Sequence, residues 1–178
     1  KNQIDFEILP AGMWIGENAR KQSKPMAQYI KKHDLQIQQV TGTAFGQDYF
    51  KFVENESIVL DSEIPSRAIV TVKKIWATQA VSFAIEVQKA RYLHAKDLND
   101  DATYLSICEN LKLDKEQFIE AFHSQAIKKE TQETFALAQQ YASSYPTLLI
   151  EKEGKLYILE QGFAPIEGVL KQIDTILN

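Results

Sequence analysis

Cysteine is almost absent from this sequence: Cys108 is the single one among 178 residues. One cysteine cannot close an internal disulfide, so no disulfide framework is implied, and there is no Cys-X-X-Cys. Tyr104, Leu105, Cys108 and Leu111 share one face at helical spacing, which makes Cys108 a buried apolar side chain rather than a reactive thiol. Histidine is nearly as scarce. His33, His94 and His123 lie far apart, without metal-ligand spacing, so no metal site is expected. No run approaches the ~18 apolar residues of a membrane span, and no signal peptide opens the chain. Basic charge is in deficit, with a formal net charge of −4 and a pI near 5.5. That balance favours neither nucleic acid nor an anionic membrane as partner. The lysine pairs Lys31-Lys32, Lys73-Lys74 and Lys128-Lys129 sit inside helical patterns and read as solvated helix faces. Repeats and low-complexity segments are lacking too.

What is present is ordinary globular material, 44% hydrophobic and 25% charged, enough for one sizeable core or one domain with a large insertion. Ile4, Phe6 and Ile8 alternate with charges and predict a strand over Ile4–Leu9, ended by Pro10 and Gly12. Pro25 opens a helix with Met26, Tyr29, Ile30, Ile37 and Val40 as its apolar positions, and Gly42 is placed to stop it. One or two helical turns follow between Phe45 and Phe52. From Asp61 the pattern stays helical for about eighty residues by its period. Asp61 or Ser62 can cap the first helix, with Pro65 in its first turn and Ile69, Val72, Ile75 and Trp76 along it. Thr78 can cap a second, with Val81, Ala84, Ile85, Ala90 and Leu93 inward. Asp100 or Asp101 starts a third through Leu111. Asp114 with Gln117 resembles a capping box and opens a fourth through Phe122. A fifth runs from Ser124 to Ala142 with Ile127, Thr131, Phe135 and Ala138 on one face.

The period then switches to two. Thr147–Ile150 is an apolar run suited to a buried central strand, Glu151–Lys155 is a turn, and Leu156–Leu159 pairs back. Pro165 opens a last helix, with Val169, Leu170, Ile173, Ile176 and Leu177 facing the sheet. Three strands with helices between them call for a further strand–helix unit to complete the sheet.

Several runs carry a resemblance. Ser144-Tyr145-Pro146-Thr147 leading into an apolar strand, a hairpin and a closing helix resembles the proline loop of the thioredoxin superfamily. Asp61-Ser62-Glu63-Ile64-Pro65-Ser66-Arg67-Ala68 is similar to the opening of the helical insertion in DsbA-like proteins. Ala11-Gly12-Met13 is similar to the glycine-glycine-methionine of that family's predicted protein-disulfide isomerase and FrnE-like branch. The resemblance covers nearly the whole chain and implies an α/β fold: a thioredoxin-like sheet from residues 1–60 and 143–178, with a large α-helical insertion at 61–142.

By the same resemblance, the function is that of a bacterial-type thiol–disulfide oxidoreductase, a disulfide isomerase or reductase acting on protein or peptide disulfides. The family carries a Cys-X-X-Cys at a helix N-terminus, where unpaired N–H groups and the helix dipole stabilise a thiolate. In this family the first strand seen here is the second one, so about 25 to 35 residues bearing that motif are expected ahead of Lys1. A cis peptide before Pro146 is implied, with Tyr145 offering its backbone to an extended substrate. A plain trans turn is the alternative reading of the residues alone. Tyr145, Pro146, Thr147, Met13 and Arg67 are thus the substrate-binding candidates. Arg67 also reads as an exposed charge at a helix start, and Met13 with Trp14 as a plug between loop and core. No cofactor is expected on this reading. Two alternatives differ: a glutathione-dependent enzyme similar to kappa-class transferases and chromene-carboxylate isomerases, or a non-catalytic peptide-binding module. The low cysteine content leans towards a cytoplasmic location, or a periplasmic one if a signal peptide was removed.

Overall fold

The computed structural model describes residues 4–178 and divides into two compact units, 1–135 and 136–178, with the boundary inside one helix. The first unit is mostly helical: α1 (Lys24–Thr41), α2 (Gln47–Phe52), α3 (Glu63–Ile75), α4 (Ala80–Tyr92), α5 (Asp101–Asn110), α6 (Lys115–His123) and the first part of α7 (Gln125–Tyr141). Its strands are two-residue pieces, β1 (Arg20–Lys21) and β2 (Val59–Leu60), paired antiparallel.

Local chemistry explains most of these boundaries. The side chain of Ser23 accepts from the amide of Met26 to cap α1, and Gly42 ends it at φ 73°, as its position predicts. Asp100 caps α5 through the amide of Ala102, and Asp114 caps α6 through that of Gln117. At α3 the carboxylate of Asp61 accepts from the amide of Glu63 at 2.8 Å. Ser62 turns elsewhere: its Oγ accepts from the amide of Trp14, and its own amide donates to the Trp14 carbonyl. That reciprocal clasp fixes the loop carrying Met13 to the start of α3.

Packing in this unit has two centres. Phe83 from α4, Tyr104 from α5, and Phe118 with Phe122 from α6 are fully buried with Ala68 and Val72 of α3. Each such aromatic contributes about 1.5–3 kcal/mol through burial. The second centre joins Ala27, Tyr49 and Val53, with Phe45 against them. Gly46 makes this junction possible: a Cβ there would lie 2.1 Å from the Leu93 carbonyl oxygen, and its amide donates to the Tyr92 carbonyl.

The second unit holds β3 (Thr147–Lys152), β4 (Lys155–Gln161) and α8 (Ile166–Leu177). Both Glu153 (φ 54°) and Gly154 (φ 75°) are left-handed, which makes a two-residue turn tighter than the 151–155 loop read from the sequence. A bulge falls between Leu148 and Leu149. Ile150, Leu159 and Val169 are buried together, with Ile173, Ile176 and Leu177 packed against them.

Several expectations are corrected. Residues 4–9 form no strand, because no ladder partner lies beside them among the described residues; Phe6 is 66% exposed, and Lys73 holds Glu7 and the Ile8 carbonyl instead. Thr78 caps nothing, since Ala77–Gln79 is a 3-10 turn that leads into α4 without a side-chain cap. On α4 the buried face is Phe83, Ala84, Val87 and Arg91, so Ile85 points outward; on α8 Leu170 does the same. Both errors follow from counting apolar positions without knowing which stripe meets a neighbour. Thr147–Ile150 pairs only with β4 among the described residues, so its central place in a sheet is not seen there.

Candidate functional site

The loop between α7 and β3 is built by short-range bonds. The Tyr145–Pro146 peptide is cis. The hydroxyl of Thr147 donates to the Ser144 carbonyl at 2.6 Å, and the Gly162 amide donates to the Pro146 carbonyl at 2.9 Å. The first bond folds the loop on itself, and the second ties it to the end of β4. Tyr145 is 40% exposed, and its hydroxyl donates to the Ala142 carbonyl. The backbone N–H and C=O of Tyr145 make no hydrogen bond within the described residues. In an otherwise bonded loop, those two groups are open to a strand-like partner.

The other sequence candidates lie in the first unit. Met13 projects from the clasped loop, 63% exposed, so it is not a plug. Arg67 differs from its reading as an exposed charge. It sits in the helical core, 8% exposed, its guanidinium 4.4 Å from the centre of the Phe122 ring and its Nε 3.4 Å from Glu63. The reason is register: Arg67 follows Ile64 by three residues on the face of α3 that packs inward. Burial raises the pKa of Glu63, and Arg67 partly offsets that.

Cys108 is wholly buried, and burial pushes its thiol up to about 11. A thiol so placed is protonated at neutral pH and is no nucleophile. No group of three or more side chains suited to a metal ion occurs among the described residues. No helix there is long and apolar enough to cross a membrane.

Sequence reading missed a buried polar cluster in the first unit. Gln22 donates through its amide nitrogen to the carbonyls of Phe52, Val53 and Asn55, and accepts from Arg91 at 2.9 Å. The Tyr49 hydroxyl donates to Asp34 at 2.7 Å. Burial holds the carboxyl of Asp34 above its ordinary range, against the Tyr49 bond, His33 and Arg91. A signal was available: Asp34 falls on the stripe of Ala27 and Ile30, and Arg91 on that of Ala84 and Val87. Charges at core positions of amphipathic helices are uncommon enough to mark.

Neither a family model nor a curated protein sequence matches the chain. Solved structures do. A Nitrosomonas europaea protein assigned as a protein disulfide isomerase superposes with a TM-score of 0.80 at 24% identity, over 89% of this chain and 76% of its own. The cytosolic disulfide reductase DsbM of Pseudomonas aeruginosa gives 0.73 at 26% identity, over 88% of this chain and 78% of DsbM. A second DsbM structure, with glutathione (GSH), gives 0.72 at 25%, over 89% and 80%. With helices α3 to α7 following the short strands in chain order, and a proline loop opening the terminal hairpin, this chain is similar in fold to these DsbA-like disulfide isomerase and reductase structures.

Proposed function

We propose that this polypeptide is a thiol–disulfide oxidoreductase of the disulfide reductase or isomerase kind, acting on protein or peptide disulfides in the cytoplasm. The likeness to DsbM at 26% identity over 88% of the chain carries this reading. The open N–H and C=O of Tyr145 support it, since they can take an extended substrate segment by strand addition. On this reading Tyr145, Pro146 and Thr147 hold that segment. Arg67 lies buried in the helical core over the Phe122 ring. The thioredoxin-like part comprises 1–60 and 143–178, and 61–142 is the helical insertion.

Dithiol chemistry needs two reactive sulfurs, and Cys108 is neither paired nor ionised. We therefore assign the reacting pair to a Cys-X-X-Cys preceding Lys1. Its thiolate attacks one sulfur of the substrate disulfide, breaking that bond and forming a mixed disulfide. The second cysteine, as thiolate, then displaces the substrate as a free thiol, leaving the pair oxidised and the substrate disulfide reduced by two electrons. Two molecules of a small thiol return the pair to its reduced state and leave as their disulfide.

Glutathione fits that last role, because one DsbM structure holds it. A glutathione-dependent transferase or isomerase, with serine in place of the first cysteine, is the second reading favoured by the same finding. Insulin reduction by the natural gene product, with glutathione as the sole reductant, separates the two. The proposal predicts precipitation of the insulin B chain, lost when the first cysteine of the pair becomes alanine. Failure to reduce insulin or any peptide disulfide, alongside conjugation of glutathione to an electrophile, would replace it with the transferase reading.

A further inference from the structure

A cleft of about 270 Å³ opens in the first unit between α1, α2, β2 and the segment after α4. That volume is at the small end for ligand sites, suited to a metabolite rather than a nucleotide. Trp14, Ile58 and Leu98 give it apolar wall, while Asp34, Arg91 and Asp97 bring charge. It lies within one compact unit and uses none of the proline-loop residues.

Arg91 is the unusual member. It is 92% buried by its 8% exposure, yet no carboxylate lies within ion-pair distance among the described residues. One terminal nitrogen donates to Gln22, and the guanidinium carbon lies 4.5 Å from the centre of the Phe52 ring. A guanidinium has five N–H donors, so most of this one's capacity is free in the cleft that it lines. A buried cation without an ion-pair partner in contact is costly, and burial lowers the pKa of Arg91, with Asp97 and Asp34 opposing that only from a distance. An anionic group in the cleft would remove that cost.

A simple anion does not fit, because the walls are acidic. Asp34 uses one oxygen for Tyr49, Asp61 one for the Glu63 amide, and Asp97 one for Asn99. Each has a second oxygen with no protein partner among the described residues. Three carboxylates and one guanidinium thus line the cleft, and Arg20 lies over the Trp14 ring. The carboxylates do not converge as metal ligands. A ligand must therefore carry an anionic and a cationic group together.

We propose that this cleft binds a small α-amino acid as its zwitterion, its carboxylate on Arg91, its ammonium on Asp34 and Asp97, and its side chain against Trp14 and Leu98. Bidentate contact suits a planar guanidinium facing a carboxylate. An ammonium beside Asp34 also offsets the burial that disfavours its ionised form.

The test is calorimetric titration of the natural gene product with the common amino acids, each beside its amine and its deaminated acid, for leucine isoamylamine and 4-methylpentanoate. Fluorescence in a Trp76→Phe background lets Trp14 report occupancy. At least one amino acid should bind at one per chain and shift Trp14 emission, with both analogues weaker by about tenfold or more. Arg91→Lys and Asp97→Asn, shown folded by circular dichroism, should weaken it by about as much. Should either variant fail to fold, the analogues on the unaltered protein decide. No binding by any amino acid, an analogue binding equally well, or a folded variant binding unchanged would each overturn the proposal.

Discussion

The hydroxyl of Tyr49 on α2 donates to Oδ2 of Asp34 on α1 at 2.7 Å, in a place where both side chains are withdrawn from water. Two helices of unequal length are thereby joined by a polar bond inside an aromatic cluster. Removing only the donor leaves a buried carboxyl unsatisfied. Tyr49→Phe is expected to cost about 1–3 kcal/mol, read from the denaturant midpoint by tryptophan fluorescence. An unchanged midpoint would mean that water already serves Asp34.

Asp34 also ties stability to pH. Its folded pKa is raised, first by burial, against a lowering by Tyr49, His33 and Arg91. A raised acid binds its proton more tightly when folded, so its contribution is complete below the unfolded value, about 3.9, and is lost as pH rises through the folded value. The stability of the unaltered protein relative to Asp34→Asn should therefore decline from pH 4 upward. Parallel curves for the two proteins would show no linkage at this residue.

Gly46 has a narrower tolerance than its exposed neighbours. A methyl group there meets the Leu93 carbonyl oxygen, which is backbone and cannot swing aside. Gly46→Ala should cost at least about 1–3 kcal/mol and loosen the amide bond from Gly46 to Tyr92, visible as faster hydrogen exchange at Gly46. Exchange and stability both unchanged would contradict that packing.

Cys108 should be silent to a thiol reagent at pH 8 in the folded protein and react once per chain after denaturation. Because its folded pKa is about 11, above the ordinary thiol value, its contribution to stability is present below about 8.5 and lost as pH climbs towards 11. Rapid modification of the native protein would place the thiol at the surface.

How far the sequence could be read depended on where the physics was local. Gly42, Asp100 and Asp114 act on their own helix ends, and α1 stops, and α5 and α6 begin, where they put them. The orientation of an apolar stripe is not local, which is why Ile85 and Leu170 were placed inward and lie outward. Alternation over residues 4–9 describes a segment able to join a sheet, but a strand exists only beside another. Pairing of Arg20–Lys21 with Val59–Leu60 is too short to leave a period. Of the candidate site, Tyr145-Pro146-Thr147 stood out as a motif and forms one bonded loop. Arg67 shares the face of Ile64 on α3, but nothing local showed that this face meets Phe122. The Asp34–Arg91 cleft was hidden because its members come from segments far apart in the sequence, from Trp14 to Asn99.

A dithiol exchanger must own more sulfur than these 178 residues hold. The decisive measurement is the intact mass of the natural gene product, with thiols counted after reduction under denaturing conditions. Thiol–disulfide function predicts three thiols, Cys108 and a Cys-X-X-Cys pair, and a mass several kilodaltons above the 20.3 kDa of this chain. One thiol at 20.3 kDa would contradict it.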